Sequence, residues 1–484
     1  MCLQITNYQW GAYEAFSFSF ESAGALAFTN ECSGSAVLPA RYIAFAERQP
    51  GFSHPTRSAA LEVMMTRLPT QEFVAFVGID WADTSHAVCL QVAGSDIRES
   101  SVLAHTPEAI GAWACMLRHR FGGRPIAVCL ELTKGPLVSA LSAHDFLVLF
   151  PVNAHTVAKY RQAFTPSRAK DDPSDAELQL ELLLKHRDKL QALTPQSVTM
   201  RALAQLVEHR RRLVGDKVRL TNRLTSALKN YFPQVLSWFS DKDTTIFCDF
   251  LTQWPTLKAV HLARRATLER FFRQHHVQTR IIAQRIHMIK AAVPLTRDEG
   301  VITPQVCLVR ALVAQLRAAL QAIEEFDRAI AQLAPTHPDF ALFHALPGAG
   351  PVFAPRLLVA FGEQRERYTS ATELQQYAGI APVTERSGNM CWVHWRLQCP
   401  KFLRQTFVEW AGESIRHSFW ARAYYAQQRA KGKTHQAATR ALAFKWIRIL
   451  YRCWQTSTPY NESLYLNALV RRGSPLIRYL ANVS

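Results

Sequence analysis

The sequence predicts an α/β domain followed by helical modules, α/β plus α in class, and three observations carry that expectation. Apolar, β-branched runs alternate with stretches of helical spacing between residues 73 and 152, the pattern of a layered α/β unit. Residues 172–230 are almost continuously helical in spacing, and two further helical stretches follow at about 256–292 and 301–333. A last module starts at residue 342 with a Gly-rich turn between apolar segments and runs on in basic helices to about Trp454.

Taken in order, residues 1–63 have no sustained periodicity. Phe16-Ser17-Phe18-Ser19-Phe20 alternates like a short strand, but Gly, Ser and Pro interrupt the rest. Met64 and Met65 directly precede the first patterned segment, so residues 1–70 are read as an extension of unknown fold and a native start at Met64 is expected. FVAFVGID (73–80), a turn through Ala82-Asp83-Thr84 and SHAVCLQVA (85–93) predict a β-hairpin. Helical spacing over Thr106–Arg120 leads to the buried strand PIAVCLEL (125–132), a helix near Pro136–His144 and a strand FLVLFPV (146–152). Together these make an α/β domain over 71–190. Residues 191–338, with the cluster Glu208-His209-Arg210-Arg211-Arg212, predict an α-helical hairpin or coiled-coil-like arm that ends at Pro335 and Pro338. The third module, 339–460, reads as helix, Gly-rich turn and helix over LFHALPGAGPVFAPRLLVAFG (342–362), then LQQYAGIAP (374–382), an irregular loop to about Pro400 and further helices, with 461–484 as a tail.

The chain has 484 residues, 48% hydrophobic and 19% charged, which excludes overall disorder and suits two to four domains. No run reaches the roughly 18 uninterrupted apolar residues of a membrane span, and no secretory signal opens the chain, so a cytoplasmic protein without a membrane partner is expected. Ten cysteines without a C-x-x-C pair read as small buried hydrophobes in a reducing compartment. The formal charge of +18 points first to a polyanion, nucleic acid by default. That charge is uneven. Residues 1–70 carry 4 basic and 5 acidic side chains, 71–190 carry 12 and 14, 191–340 carry 21 and 12, and 341–484 carry 19 and 7. A neutral-to-acidic module joined to basic ones suggests a cation-binding centre beside surfaces that hold phosphate backbone, although basic residues also serve as solvated helix faces.

Four carboxylates can do chemistry. Asp80 and Glu131 end strands, and Asp172 and Asp175 stand three apart at a helix start, on one face. Hard divalent cations take oxygen ligands, so acids without His or Cys suit phosphodiester chemistry. The quartet Asp172-Pro173-Ser174-Asp175 is equally the grammar of a helix N-terminus. LPGAGP (346–351) looks like a helix-hairpin-helix element in which Gly348 and Gly350 let backbone N–H groups hold phosphate, or is an ordinary interhelical turn. Cys391, His394 and Cys399 read as core packing rather than a metal site. Arg396, Lys401, Arg404, Arg429, Lys431 and Lys433 read as phosphate contacts, interleaved with Trp392, Trp395, Trp410 and Trp420, which are more often core than stacking platforms.

The segments VGIDWADTSHAV, CLELTKG, FPVNAHTVAKYRQAF and AKDDPSDA resemble the RuvC-like, DEDD-type domain of transposases related to the Piv DNA invertase, the insertion sequence 110 family of bridge-RNA-guided recombinases. The resemblance covers 73–190 and resumes over 340–455, where GIAPVTERSGN (379–389) is similar to the family's C-terminal transposase domain. It implies a RuvC/RNase H-like α/β domain whose Asp80, Glu131, Asp172 and Asp175 bind Mg²⁺ or Mn²⁺. The one departure is Pro173-Ser174 in place of a basic and an aliphatic residue. It also implies a nucleophile at Ser387 of the Ser387-Gly388 pair, which alone would read as a plain turn. DNA would be cut through a covalent phosphoserine at a site composed from two subunits of a homo-oligomer, dimer or tetramer, in the bacterial cytosol or nucleoid, under guidance from a noncoding RNA. Two rivals are a metal-dependent junction nuclease and an inactive nucleic-acid-binding relic.

Overall fold

A computed structural model of the chain describes residues 72–164 and 172–480. The expectations for the N-terminal extension, the Phe16–Phe20 alternation and the Met64 start lie outside the described residues. The apolar run after Val74 forms β1 (Ala75–Asp80), and β2 (Ser85–Val92) returns antiparallel to it with Ala87 opposite Asp80. β3 (Arg98–Ala104) pairs antiparallel along the outer side of β2. This strand is absent from the sequence reading for a physical reason: in RESSVLA only Leu103 is buried, so there is no apolar alternation to read. Ion pairs hold it from both faces, Arg98 with Glu181 at 3.1 Å and Arg120 with Glu99.

Thr106 then caps α1 (Pro107–Phe121), its Oγ1 accepting the Ala109 N–H at 3.2 Å. β4 (Ile126–Leu130) lies parallel to β1, and after α2 (Pro136–Leu141) β5 (Leu147–Pro151) lies parallel to β4. The sheet order is β3-β2-β1-β4-β5. One face packs on α1 and α2 through Val77, Ile79, Val128, Ile110 and Leu117. The other is covered by α4 (Asp172–His186), which follows α3 (Ala154–Phe164). Gly78 shows how close that cover is: a Cβ there would come within 2.0 Å of the Ala176 carbonyl oxygen and 2.6 Å of the Leu180 nitrogen. Only glycine lets α4 cross β1 at this point.

The arm consists of α5 (Val198–Lys229) and its antiparallel partner over 299–333, with Arg210 beside Asp327 towards one end and Leu224 and Leu228 clustered with Val309 and Leu312 towards the other. Thirty-two residues make α5 about 48 Å long. Between the two long helices lie α6 (Val235–Trp238), α7 (Thr245–Gln253), α8 (Leu257–Leu262), α9 (Arg265–Gln274) and α10 (Thr279–Ala291). These short helices are more than the continuation of a hairpin: Phe232, Trp238, Phe247, Phe250 and Phe272 give them an aromatic core of their own. The long return helix, α11 (Glu299–Leu333), contains an 18-residue window of mean hydropathy 1.5, long and apolar enough by composition to cross a membrane. Gln305, Arg310 and Arg317 interrupt it, so it holds no uninterrupted apolar run of about 18 residues. Its apolar face, including Leu312, Leu316 and Ile323, is buried in the protein.

The C-terminal module comprises α12 (Phe340–His344), α13 (Gly350–Phe361) and α14 (Ala371–Tyr377), then a hairpin of β6 (Val383–Ser387) and β7 (Met390–His394) where an irregular loop was expected. α15 (Lys401–His417), α16 (Phe419–Ala430) and α17 (His435–Gln455) follow. Trp410, Trp420, Trp446 and Trp454 are fully buried, and each indole N–H donates to a partner: Pro347 O at 3.1 Å, Tyr460 OH at 2.7 Å, Ser414 Oγ at 2.8 Å and Gly362 O at 3.1 Å. Met200, Leu203 and Val207 of α5 and Ile330 of α11 join this same core, so the base of the arm is rooted in it. Residues 461–480 do not trail away as a tail. α18 (Glu462–Arg471) and α19 (Ile477–Leu480) follow, and Leu476 is buried against the same core.

Candidate functional site

Asp80 stands at the carboxyl end of β1 and Glu131 one residue beyond β4. The last paired positions are Ile79 and Leu130, so the two acids are the next residues along adjacent parallel strands, about 4.8 Å apart at the backbone. Alternation turns Asp80 to the face where Gly78 meets α4. Asp175, in the first turn of that helix, is 1% exposed, and Asp80 is 9% exposed. One turn further on, the Gln179 carboxamide reaches to 3.4 Å from Asp80 Oδ1. With its nitrogen turned the other way it donates to the carbonyls of Ile79 at 2.6 Å and Cys129 at 3.2 Å, the orientation that satisfies more of its hydrogen-bonding groups. Burial, with the Glu131 carboxylate adding to it, pushes the Cys129 thiol up to about 12. It stays neutral, so the thiol does not compete with the carboxylates as an anionic donor at this end of the sheet.

Two features depart from a simple convergence of four acids. The Arg161 guanidinium, from α3, donates to Asp175 through Nε at 2.7 Å and forms an ion pair with it. Asp172, at the first residue of α4, is exposed, so its carboxylate does not share the buried position of Asp175. Among the described residues no three His, Cys, Asp or Glu side chains group closely enough to hold a metal ion. Gly78, Arg161 and Gln179 were all missed in the sequence. Gly78 left a legible signal, because an isolated glycine in a strand marks close backbone approach. Gln179 left a weaker one, four residues after Asp175.

Ser387 is the last residue of β6 and pairs with Met390 across the two-residue turn Gly388-Asn389. Gly388 has φ 57°, the sign that a type II′ hairpin turn needs at its first position. Every residue from Thr384 to Trp395 is exposed. Cys391 and His394 therefore stand on a solvated hairpin, which corrects their reading as core: without a second layer above it, a two-stranded ribbon has no interior. On the Ser387 face, His394 Nε2 lies 2.9 Å from Glu385 Oε1, and the hydrogen bond to Glu385, followed by the Trp395 carbonyl, holds the imidazole above its ordinary range.

The remaining predicted residues are scattered around the basic module. Lys401, Arg429, Lys431 and Lys433 are exposed, whereas Arg396 and Arg404 are half-buried near the root of the hairpin. Gly348 has φ 71°, and a Cβ there would lie 2.8 Å from His417 Cδ2 and 3.2 Å from Glu413 Cγ on α15. Packing against α15 thus accounts for this glycine. At Gly350, φ is 49° and the surrounding space is open.

A sheet end carrying in-register acids, a helical arm and a basic helical module with an exposed serine hairpin are the parts of a DNA-processing protein, and comparison with known proteins places it among the transposases. A DEDD-type transposase family model matches residues 77–233, and one described as "Transposase IS116/IS110/IS902 family" matches residues 341–426. The mini-circle putative transposase for IS117 of Streptomyces coelicolor is 29% identical over 398 residues, 80% of this chain and 95% of that protein. An uncharacterized 43.6 kDa protein of insertion element IS110, also from Streptomyces coelicolor, is 25% identical over 405 residues, 82% of this chain and 97% of that protein. The uncharacterized 44.8 kDa protein of insertion element IS116 of Streptomyces clavuligerus is 27% identical over 320 residues, 65% of this chain and 78% of that protein. The chain belongs to the IS110 family of transposases.

Proposed function

We propose that this transposase cuts and rejoins DNA with two sets of groups, a RuvC/RNase H-like acid site on the sheet and Ser387 as nucleophile on the hairpin. The observation that carries the reading is the register of Asp80 and Glu131 on β1 and β4, with Asp175 brought to the same face where α4 crosses Gly78. The mixed strand order supports the RNase H-like assignment. The donor set suits Mg²⁺ or Mn²⁺: Asp80, Glu131 and Asp175 offer hard oxygens, with Asp172 one turn away and the neighbouring thiol kept neutral. Arg161 already supplies positive charge to Asp175, and it must yield part of that carboxylate wherever a cation takes it. A bound divalent ion would supply Lewis-acid stabilisation of charge developing on the phosphate oxygens.

The chain's own groups do the rest. Ser387 Oγ forms a bond to phosphorus as one P–O bond of the DNA breaks. The serine proton is lost to solvent or base, and the departing oxygen gains one. The resulting phosphoserine keeps the energy of the diester for resealing, whereas attack by water would leave free ends. An exposed hairpin tip suits a serine delivered to acids on another subunit, in a homo-oligomer. In this reading the turn at Gly350, where the space is open, contacts backbone phosphate, with Lys401, Lys431 and Lys433 as further contacts, while Gly348 seats that turn against α15. Guidance by a noncoding RNA rests on family membership alone and is tested by sequencing the RNA that copurifies with the chain.

The decisive experiment traps the adduct. Wild-type protein with labelled target DNA is expected to give a covalent protein–DNA species on denaturing gels. Ser387→Ala is expected to lose both the adduct and strand exchange while keeping DNA binding. Ser463→Ala, at an exposed serine of α18, is the control, because Ser370 and Ser418 cap helices and Ser414 is buried against Trp446. An adduct that survives Ser387→Ala overturns the serine assignment. Free ends without any adduct would favour the metal-dependent nuclease.

A further inference from the structure

The root of the Ser387 hairpin holds three guanidinium groups from three different elements. Arg396 follows β7, Arg404 lies in the first turn of α15, and Arg440 comes from α17, far away in sequence. Arg404 donates to the main-chain carbonyl of Arg396 and, at 3.3 Å, to that of Leu397, and the Arg440 guanidinium carbon lies over the Trp395 ring, 3.0 Å from its centroid, so the side chains of Arg404 and Arg440 both pack on the segment that carries Arg396. Burial, followed by repulsion from Arg404, holds Arg440 below the usual arginine range. Among the described residues none of the three forms an ion pair with a carboxylate.

Each of these arginines also has a buried nitrogen without a hydrogen-bond partner. Seven such side-chain atoms occur among the described residues, and Arg396 Nε, Arg404 Nε and Arg440 Nη1 are three of them, on the segment after β7 and the two side chains packed on it. Buried donors that find no partner are costly, and arginine cannot relieve the cost by losing its proton. Like charges drawn together with spare donors and no carboxylate make a site short of one anion. Arginine forks match the oxygens of phosphate. Trp392 on β7 and Trp395 just after it are exposed, and such rings offer faces on which nucleobases stack.

We propose that Arg396, Arg404 and Arg440, with Trp395 as the floor, form an anchor for one phosphodiester group of a DNA strand at the hairpin root. This deepens the reading of Ser387 as nucleophile and rests on it. Five strand steps along β7, from Met390 opposite Ser387 to Trp395, separate the tip from the root, about 17 Å. The anchored phosphate is therefore not the one attacked but a neighbour along the strand, and holding it fixes where the tip is aimed. Arg440 is the new member of the site, because nothing in the sequence joins a residue of α17 to the hairpin.

The test measures binding of the full chain to a duplex DNA by fluorescence anisotropy over a range of salt. Arg440→Gln is expected to weaken DNA binding about tenfold and to lower the slope of log affinity against log salt by about one. Arg471→Gln, at an exposed arginine of α18 outside the cluster, is expected to change neither. Unchanged affinity and slope in Arg440→Gln overturn the proposal. Should that variant fail to fold, arginine-specific labelling of the wild type with phenylglyoxal, mapped by mass spectrometry, decides. DNA is expected to protect Arg396, Arg404 and Arg440 more than Arg471, and equal labelling overturns the anchor. An RNA of the same sequence runs beside the DNA in both assays, and protection by RNA alone removes the assignment to DNA. Adduct formation by Ser387→Ala is a separate readout, so loss of the serine assignment leaves these binding results standing and distinguishable.

Discussion

The acid end of the sheet and the serine hairpin lie at opposite extremes of burial and charge. Asp80 and Asp175 are 9% and 1% exposed, and the segment that carries them, 71–190, has two more acidic than basic side chains. The hairpin is solvated from Thr384 to Trp395, in a module of 19 basic and 7 acidic side chains. At the sheet, geometry is set by the fold itself: parallel register aligns Asp80 with Glu131, and a glycine contact seats the helix that brings Asp175. At the hairpin, local pairing fixes only the ribbon, and the serine has no surroundings of its own. In the proposed reaction, which needs both sets of groups, the second would be brought to the first, with the hairpin the part delivered and the acids the part held still.

The largest expected effect breaks the fixed half. Asp80→Asn and Glu131→Gln each replace a charged oxygen by a nearly isosteric amide, and each is expected to abolish DNA rearrangement in Mg²⁺ while leaving the melting temperature within a few degrees. Rearrangement assays read beside thermal melts check this. Full activity in Asp80→Asn would remove the acid site from the reaction.

Two glycine substitutions sharpen the comparison at the level of stability. A Cβ at Gly78 would strike the backbone of Ala176 and Leu180 at 2.0 and 2.6 Å, and neither can move without lifting α4. Gly78→Ala is therefore expected to cost about 3 kcal/mol or more. Gly388 has a positive φ but nothing within 4 Å of where a Cβ would stand. Gly388→Ala is expected to cost about 1 kcal/mol of local backbone strain, felt in the hairpin and scarcely in global unfolding. Denaturant melts of both variants test the ranking. Equal losses would mean that the hairpin is more deeply integrated than its exposure implies.

The difference also explains what was legible in the sequence. β1, β2, β4 and β5 announce themselves because burial on both faces demands apolar runs, and the acids that end them could be located by position. β3, β6 and β7 are exposed ribbons, and exposure erases the period-2 signal on which strand reading depends. The arm was legible as helix, but not that Met200 and Ile330 belong to one core while Leu224 and Val309 belong to another, because helical spacing does not record which neighbour a face meets. Arg161 and Arg440 were invisible for a related reason. Their roles come from tertiary pairing, with Asp175 in one case and Trp395 in the other.

The smallest expected effect is read from two histidines, one in each region, that titrate in opposite directions. His86 is fully buried at the start of β2. Its Nδ1 accepts the Ala82 N–H at 3.3 Å, which leaves the proton on Nε2, 2.9 Å from His105 Nδ1. Burial first, and His105 second, hold its pKa below the ordinary 6.5. The folded state therefore disfavours the charged ring, and the contribution of His86 to stability is complete above about pH 6.5 and lost as pH falls through its lowered value. His394 runs the other way: the exposed pair with Glu385 favours its charged form, so that contact is complete below 6.5 and lost as pH rises through the raised value. Imidazole NMR titrations are expected to place the midpoint of His86 below 6.5 and that of His394 above it. His86→Gln is expected to flatten the loss of stability between pH 7 and pH 5, while His394→Gln leaves it unchanged. Midpoints in the reverse order would show that solvent reaches His86 and that the sheet end is less closed than the hairpin, contrary to the contrast in burial between the two regions.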